Sequence, residues 1–229
     1  IGYFAPALQN WQTVLSGVRG DVAGTVADMS GRIANAQTGF TELGFVFAMR
    51  GLPDVGNTRF DVQLERFVSN AADINSIMAD VSEVPLSESL VANVEKMGSV
   101  ELAGFFEGSF SDFRAEGSLV SDEGGAVFNI RLSPSSAGRS AFNGNINVDR
   151  LDLGRLLAVE KLGRVSLSVG LDGSFGDKDF TANTNVAVSG AEYNGYRYHD
   201  ITMNGYVANR LFRGNIGSTD PDIKFDFDG

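Results

Sequence analysis

Residues 164–175 read RVSLSVGLDGSF, and apolar side chains stand at every second position from Val165 to Leu171. Alternation with a period of two is typical of a β-strand that has one buried and one solvated face. Parallel strands covered by helices would show continuous apolar runs instead, so the pattern favours an antiparallel sheet.

The same alternation recurs along most of the chain. The sets are Leu43, Phe45, Phe47 and Met49; Phe60, Val62 and Leu64; Val100, Leu102 and Phe106; Phe128, Ile130 and Leu132; Phe142, Ile146 and Val148; Phe180, Ala182, Val186 and Val188; Ile201, Met203 and Val207; Phe212 and Ile216; and Ile223, Phe225 and Phe227. Asn194-Gly195 lies between two such stretches and favours the type I′ turn of a tight hairpin. The sequence therefore predicts an all-β chain.

Helical spacing interrupts the alternation in three places. Residues 70–81 place Ile74 and Ile77 on one helical face, with Ser69 or Asn70 as the N-cap. A second short helix is predicted from Ser87 to Met97, which makes residues 70–97 a helical insertion, and a helical turn is predicted from Leu153 to Val159.

An internal repeat relates residues 97–110 to residues 162–175 at one constant offset, with matching face parity. We expect a single continuous domain over residues 1–229, with repeat units at about 97–132 and 162–216. A repeated unit of helical turn and strands predicts an elongated array. The chain begins at Ile1, without an initiator Met or signal segment, so we expect a piece of a longer protein.

The composition excludes several functions. The net charge of −11 argues against nucleic-acid binding, because phosphate contacts need a basic surface. The chain has no cysteine, so neither disulfides nor a thiolate metal site can form. A single histidine, His199, and the absence of nucleotide-binding or hydrolase motifs predict a protein that is not an enzyme and needs no cofactor.

The acidic run Asp220, Asp222, Asp226 and Asp228 is similar to a calcium loop in composition, but Lys224 interrupts the ligand spacing. We interpret these aspartates as the wet face of a strand whose dry face carries Ile223, Phe225 and Phe227. Metal binding is not predicted.

Several motifs together resemble TamB proteins of the AsmA-like superfamily. They are Tyr193-Asn194-Gly195-Tyr196 followed by Asp200–Gly205, the run Asp220–Gly229, Gly108-Ser109-Phe110 with Asp112-Phe113, and Leu151–Leu157. The resemblance is best from Asp73 to Gly229 and thin before Thr41. The helical insertion at 70–97 departs from the family pattern, because it interrupts the run of strands that would form a groove.

The resemblance implies a curled antiparallel sheet, or β-taco, that forms an apolar groove in the periplasm of a Gram-negative bacterium. It also implies an inner-membrane anchor, lipid carriage between the two membranes, and an outer-membrane barrel partner in protein assembly or secretion. We expect acyl chains to lie on the apolar face, and the isolated chain to self-associate through it. The candidate lining residues are Val100, Leu102, Phe106, Val165, Leu167, Leu171, Val186, Ile201, Met203, Phe225 and Phe227.

The alternation also fits the core of a β-sandwich that serves as a scaffold or protein-binding module of the cell envelope. Periodicity alone does not separate a sandwich core from a groove lining. The strands of an outer-membrane barrel are a third option, which short strands and helical interruptions disfavour.

Overall fold

The computed structural model describes residues 14–81, 95–135, 138–176, 179–208 and 211–229. It is an all-β, antiparallel sheet of 14 strands in which strands adjacent in the chain pair, with β11 attached to β10, so the predicted fold class is confirmed. The strands are β1 (Ser16–Thr25), β2 (Asp28–Thr38), β3 (Thr41–Arg50), β4 (Arg59–Asn70), β5 (Ser99–Ser109), β6 (Asp112–Ser121), β7 (Gly124–Pro134), β8 (Ser140–Asp152), β9 (Leu162–Phe175), β10 (Phe180–Tyr193), β11 (Tyr196–Tyr198), β12 (Ile201–Ala208), β13 (Leu211–Thr219) and β14 (Lys224–Asp228).

Two of the predicted helices are confirmed. Helix α1 (Ala71–Val81) begins after Asn70, whose side-chain oxygen accepts a hydrogen bond from the Asp73 amide at 2.9 Å, as an N-cap does. Helix α2 (Leu153–Leu157) is capped by Asp152, which accepts from the Arg155 amide at 2.8 Å.

The helix predicted over residues 87–97 falls mostly outside the described residues, of which positions 95 and 96 are helical. Within the described ranges, no helix is both long enough and apolar enough to span a membrane.

The chain divides into two compact units, of which the first comprises residues 1–110 and 117–123. In this unit β1 to β5 pair in chain order. The pairing sets Phe47 opposite Val62 and Val62 opposite Phe106, so one apolar face runs across the strands. A bulge in β4 between Leu64 and Phe67 shifts the register by one residue. The bulge keeps Phe67 on the apolar face although the simple alternation ends at Leu64.

The second unit comprises residues 111–116 and 124–229. Its strands pair in the order β7-β8-β9-β10-β12-β13-β14, and β11 pairs with β10. The predicted Asn-Gly hairpin is confirmed between β10 and β11, where Asn194 and Gly195 have φ values of 51° and 81°. Positive φ at both central residues is the type I′ arrangement, which matches the twist of the flanking strands.

Candidate functional site

The second unit carries two adjacent apolar rows that cross its seven serially paired strands. In each row, every residue pairs in register with the next. The first apolar row is Phe128, Ile146, Val169, Val186, Met203, Ile216 and Phe227, and the second apolar row is Ala126, Val148, Leu167, Val188, Ile201, Ser218 and Phe225. Only Ser218 interrupts the apolar character of the two rows.

Apart from Ser218, which is buried, and Phe227, which is exposed, the members of both rows are half-buried. From Phe128 to Ile216, every member of the first apolar row keeps an intermediate exposure, and Phe227 is 67% exposed. A second sheet packed against this face would bury these side chains fully, as in a sandwich core. Among the described residues of the second unit, the buried hydrophobic side chains are Leu156, Val165 and Ala182. None of the three belongs to either row, so the rows are accessible from solvent.

Helix α2, which carries the buried Leu156, packs on β9, the strand that carries the buried Val165. The contact requires Gly154, because a Cβ added there would stand 1.4 Å from the carbonyl oxygen of Leu162.

The structure divides the predicted lining residues among several positions. Leu167, Val186, Ile201, Met203, Phe225 and Phe227 lie in the two apolar rows. Leu171 lies in a neighbouring row, between Gly144 and Thr184, and Val165 is buried near the start of β9. Val100, Leu102 and Phe106 belong to β5 in the first unit, where Val100 is buried. Their role as a lining stays a prediction.

The interpretation of Asp220 as a solvated strand residue is wrong. Asp220 precedes β14 and is fully buried. Its carboxylate accepts hydrogen bonds from the amides of His199 at 3.0 Å and Asp222 at 2.9 Å, and from the Tyr196 hydroxyl at 3.0 Å. A carboxylate that satisfies the amides of two loops fixes the β11–β12 connection to the segment before β14. Its proximity to the Asn-Gly hairpin in space is not visible in the alternation pattern.

Three groups in this cluster have shifted pKa values. Hydrogen bonding to Asp222 is the main cause that raises the pKa of Tyr196 above its ordinary value. Hydrogen bonding to Asp200, at 2.7 Å from Nδ1, raises the pKa of His199. Burial acts to raise the pKa of Asp220, but the Asp222 and His199 amides outweigh it, so this pKa is lowered.

The hydrogen bonds among Tyr196, His199, Asp220 and Asp222 form a clasp between neighbouring loops. Within the part of the chain that the structure describes, no group of three or more His, Asp or Glu residues is arranged to hold a metal ion. His199 is half-exposed, with its Nε2 3.7 Å from the Asp220 carboxylate. Its interactions tie neighbouring loops together, and no nucleophile lies among its described partners.

The opposite face of the second unit bears a row of side-chain amides that the sequence reasoning missed. The row is Asn129, Asn145, Gly170, Asn185, Asn204, Asn215 and Asp228, paired in register. Asn143-x-Asn145-x-Asn147 and Asn183-x-Asn185 are the sequence signals that could have pointed to it. Alternation marks such positions only as solvated, whereas the register brings them side by side.

No family model, curated protein or solved structure matches this chain in the comparisons with known proteins.

Proposed function

We propose that the second unit carries lipid acyl chains along its two apolar rows, as a segment of a periplasmic protein that moves lipid between inner and outer membranes or aids outer-membrane protein assembly. The observation that carries this proposal is that every apolar member of the two rows stays half-buried or exposed across the seven strands. Strands lie about 4.8 Å apart, so the rows extend over about 29 Å. One acyl chain spans half of a hydrocarbon core that is about 30 Å thick, or about 15 Å, and fits along a row.

The energetics of an open apolar face suit a carrier. Complete transfer of one CH₂ group from water contributes about 0.8 kcal/mol, so a sixteen-carbon chain gains up to roughly 13 kcal/mol. A chain that lies on an open face is shielded on one side, so about half of this gain remains. Because successive strands present similar apolar side chains, movement along a row changes the free energy little, whereas escape into water costs most of the gain.

The periplasmic location, the inner-membrane anchor and the outer-membrane barrel partner belong to the proposal through the resemblance to TamB proteins. Five motifs carry that resemblance, and four of them are Tyr193–Tyr196, Asp200–Gly205, Asp220–Gly229 and Leu151–Leu157. In the structure these segments form the hairpin, the start of β12, the clasp with β14, and α2. These four belong to the unit that carries the apolar rows, whereas the fifth, Gly108-Ser109-Phe110 with Asp112-Phe113, lies partly in the first unit.

Aspartate substitutions on the two faces test the proposal. We expect Leu167→Asp with Met203→Asp to abolish co-purification of phospholipid with the full chain. An acyl chain on the rows would remove water from the new carboxylates, which costs free energy. The matched control is Ser168→Asp with Thr202→Asp, which adds the same charge to exposed neighbours on the opposite face. Equal lipid capture by both variants would contradict the proposal.

A photocrosslinking pair avoids dependence on the folding of the aspartate variants. A benzophenone amino acid at Val186 in the first apolar row should label phospholipid, whereas the same group at the adjacent, outward-facing Ala187 should not. Labelling of lipid from Ala187 alone would place the lipid on the wrong face and would reject the proposal.

A protein-binding module is the second candidate, and the edge strand β1 favours it. Strand β1 pairs only with β2 among the described strands, and its Val18 and Val22 are 53% and 60% exposed. An open edge with apolar side chains is suited to the addition of a strand from another protein. Val18→Lys with Val22→Lys should then abolish capture of that protein while phospholipid co-purification remains unchanged.

A further inference from the structure

A hollow of about 340 Å³ opens over Gly170, on the face of the second unit opposite the two apolar rows. We call it the Gly170 hollow. Five polar side chains surround the glycine in the pairing pattern. They are Asn143, Asp172 and Asn183 in one row, and Asn145 and Asn185 on either side of Gly170 in the next.

The hollow exists because position 170 has no side chain. A Cβ built there would stand 3.3 Å from Asn145 Oδ1 and 3.9 Å from Asn185 Cβ, so any larger side chain would occupy the space between the two amides. Gly170 does not have the positive φ that favours glycine, and the backbone there accepts other residues. Backbone geometry therefore does not require this glycine, which leaves the open space as its structural effect.

The rim offers hydrogen-bonding groups of both kinds. Each asparagine presents one acceptor and two donor positions, and the Asp172 carboxylate presents acceptors only. No side-chain hydrogen bond from the described residues engages Asn143, Asn145, Asp172 or Asn183, while Asn185 donates to the Asn204 side chain. The four unengaged residues are exposed. These side chains are therefore available to form hydrogen bonds with a ligand in place of water.

An exposed aromatic ring adjoins the rim. Tyr206 pairs in register with Asn183, continues the same row by one strand, and is 41% exposed. On a sheet surface the side chains of paired residues stand about 5 Å apart. Tyr206 therefore places an apolar ring face with a polar tip next to a group of amides.

We propose that the Gly170 hollow binds an uncharged saccharide, with the asparagines and Asp172 hydrogen-bonded to its hydroxyls and Tyr206 packed on the apolar face of the sugar ring. The hydroxyls of a sugar donate and accept, as the amides do, and their donor capacity suits the carboxylate. Asp172 disfavours anionic ligands such as phosphates, because like charges repel. A single carboxylate also brings only one negative charge to the hollow, which favours a neutral ligand over a divalent cation.

This binding is separate from the proposed lipid carriage. Successive side chains of a strand point to opposite faces, so the asparagines face away from Leu171 and from the apolar rows. A glycolipid whose acyl chains lie on the apolar rows cannot place its headgroup in the hollow at the same time. The expected ligand is a water-soluble saccharide, and the experiment distinguishes it from a glycolipid headgroup.

The test titrates the full ¹⁵N-labelled chain with three trisaccharides: maltotriose, cellotriose and triacetylchitotriose. At least one should shift the side-chain amide signals of Asn145 and Asn185 in a saturable manner. Gly170→Val fills the hollow in an ordinary strand conformation, and we expect it to weaken that binding at least tenfold with no loss of folding. Gly217→Val is the matched control on the same face, where an added Cβ meets no atom closer than 3.5 Å. It should bind like the original chain.

Several results would overturn the inference. They are no shift with any of the three sugars, equal binding by Gly170→Val, or shifts produced by triglycine but by none of the sugars. Binding of an alkyl maltoside in micelles without binding of maltotriose would assign the signal to the lipid-carrying face and would also reject it. Loss of lipid co-purification in Leu167→Asp with Met203→Asp leaves the sugar titration unaffected, so the two proposals fail independently.

Discussion

Strand β5 in the first unit and strand β9 in the second belong to the two copies of the internal repeat, but their residues differ on one face. Val100 and Val165 hold equivalent positions and are both 5% exposed. Phe110 and Phe175 follow the two strands' last glycines, Gly108 and Gly173, and both rings are exposed. On the opposite face, the position that Phe105 fills in β5 is Gly170 in β9.

The comparison shows which face tolerates change. On the apolar face, each side chain packs against in-register partners on two neighbouring strands, so a change of size affects several contacts. On the solvated face, a ring can be replaced by open space without loss of the buried positions Val100 and Val165. The buried valines of the apolar face are therefore common to both strands, whereas the solvated face differs between them.

The largest expected effect comes from a substitution of Gly154, the buried glycine of helix α2, which precedes β9 in the chain. Gly154→Ala forces a Cβ against the Leu162 carbonyl and should lower the free energy of unfolding by about 3 kcal/mol, since the backbone must move. Urea denaturation measures the loss. Leu157→Ala, at a side chain that is 57% exposed on the same helix, is the control and should change stability by less than about 0.5 kcal/mol. A tolerated alanine at position 154 would contradict the close packing of α2 on β9.

A smaller and symmetric effect should follow from truncation of the two equivalent valines. Val100→Ala and Val165→Ala each remove two buried carbons, and we expect each to cost about 2 kcal/mol in urea denaturation. The control is Val127→Ala, because this valine is 55% exposed and its truncation should have little effect. A loss of stability in only one of the two variants would show that the equivalent valines of the repeat are not packed equivalently.

The pH dependence of stability should distinguish the clasp of the second unit from the hydrogen bonds that Asp73 accepts in the first unit. Asp73 accepts from the Phe40 and Thr41 amides at 2.6 and 2.8 Å without a histidine nearby, whereas Asp220 lies beside His199. The raised pKa of His199 contributes stability that is complete below its ordinary pKa of about 6.5 and is lost as the pH rises through the raised value.

The melting temperature of the original chain should therefore decline above about pH 6.5 relative to that of His199→Gln. If the melting temperatures of the two chains change with pH in the same way on both sides of that pH, the charge of His199 has no role in stability. The lowered pKa of Asp220 has the opposite sign, because its contribution is present above the ordinary value of about 3.9 and is lost as the pH falls through the lowered one. Asp220→Asn should remove that acid-side loss.

Much of the fold was predictable because one short-range signal dominates it. The alternation around Val165 assigned strands and faces, Asn194-Gly195 located the hairpin, and Asn70 and Leu153 marked where helices begin. Interactions between distant segments were not predictable. The burial of Asp220 depends on amides of His199 and Asp222 that meet it only after folding, and the Gly170 hollow depends on the register of three strands.

The smallest expected effect comes from an exchange between the two copies. Gly170→Phe gives β9 the residue that β5 has, and its stability should change by less than about 1 kcal/mol, since strand preferences span about that range. Thermal melting checks the stability, and phospholipid co-purification should remain unchanged because the substitution faces away from the apolar rows. Loss of lipid in this variant would show that the two faces are not independent.

Paramagnetic broadening by a spin-labelled fatty acid tests most directly whether the two apolar rows of the second unit take acyl chains. With a nitroxide near the end of the acyl chain, the methyl signals of Val186, Met203 and Ile216 should broaden strongly, and those of the opposite-face Val127 should not. Equal broadening on both faces, or none on Val186, Met203 and Ile216, would contradict the account.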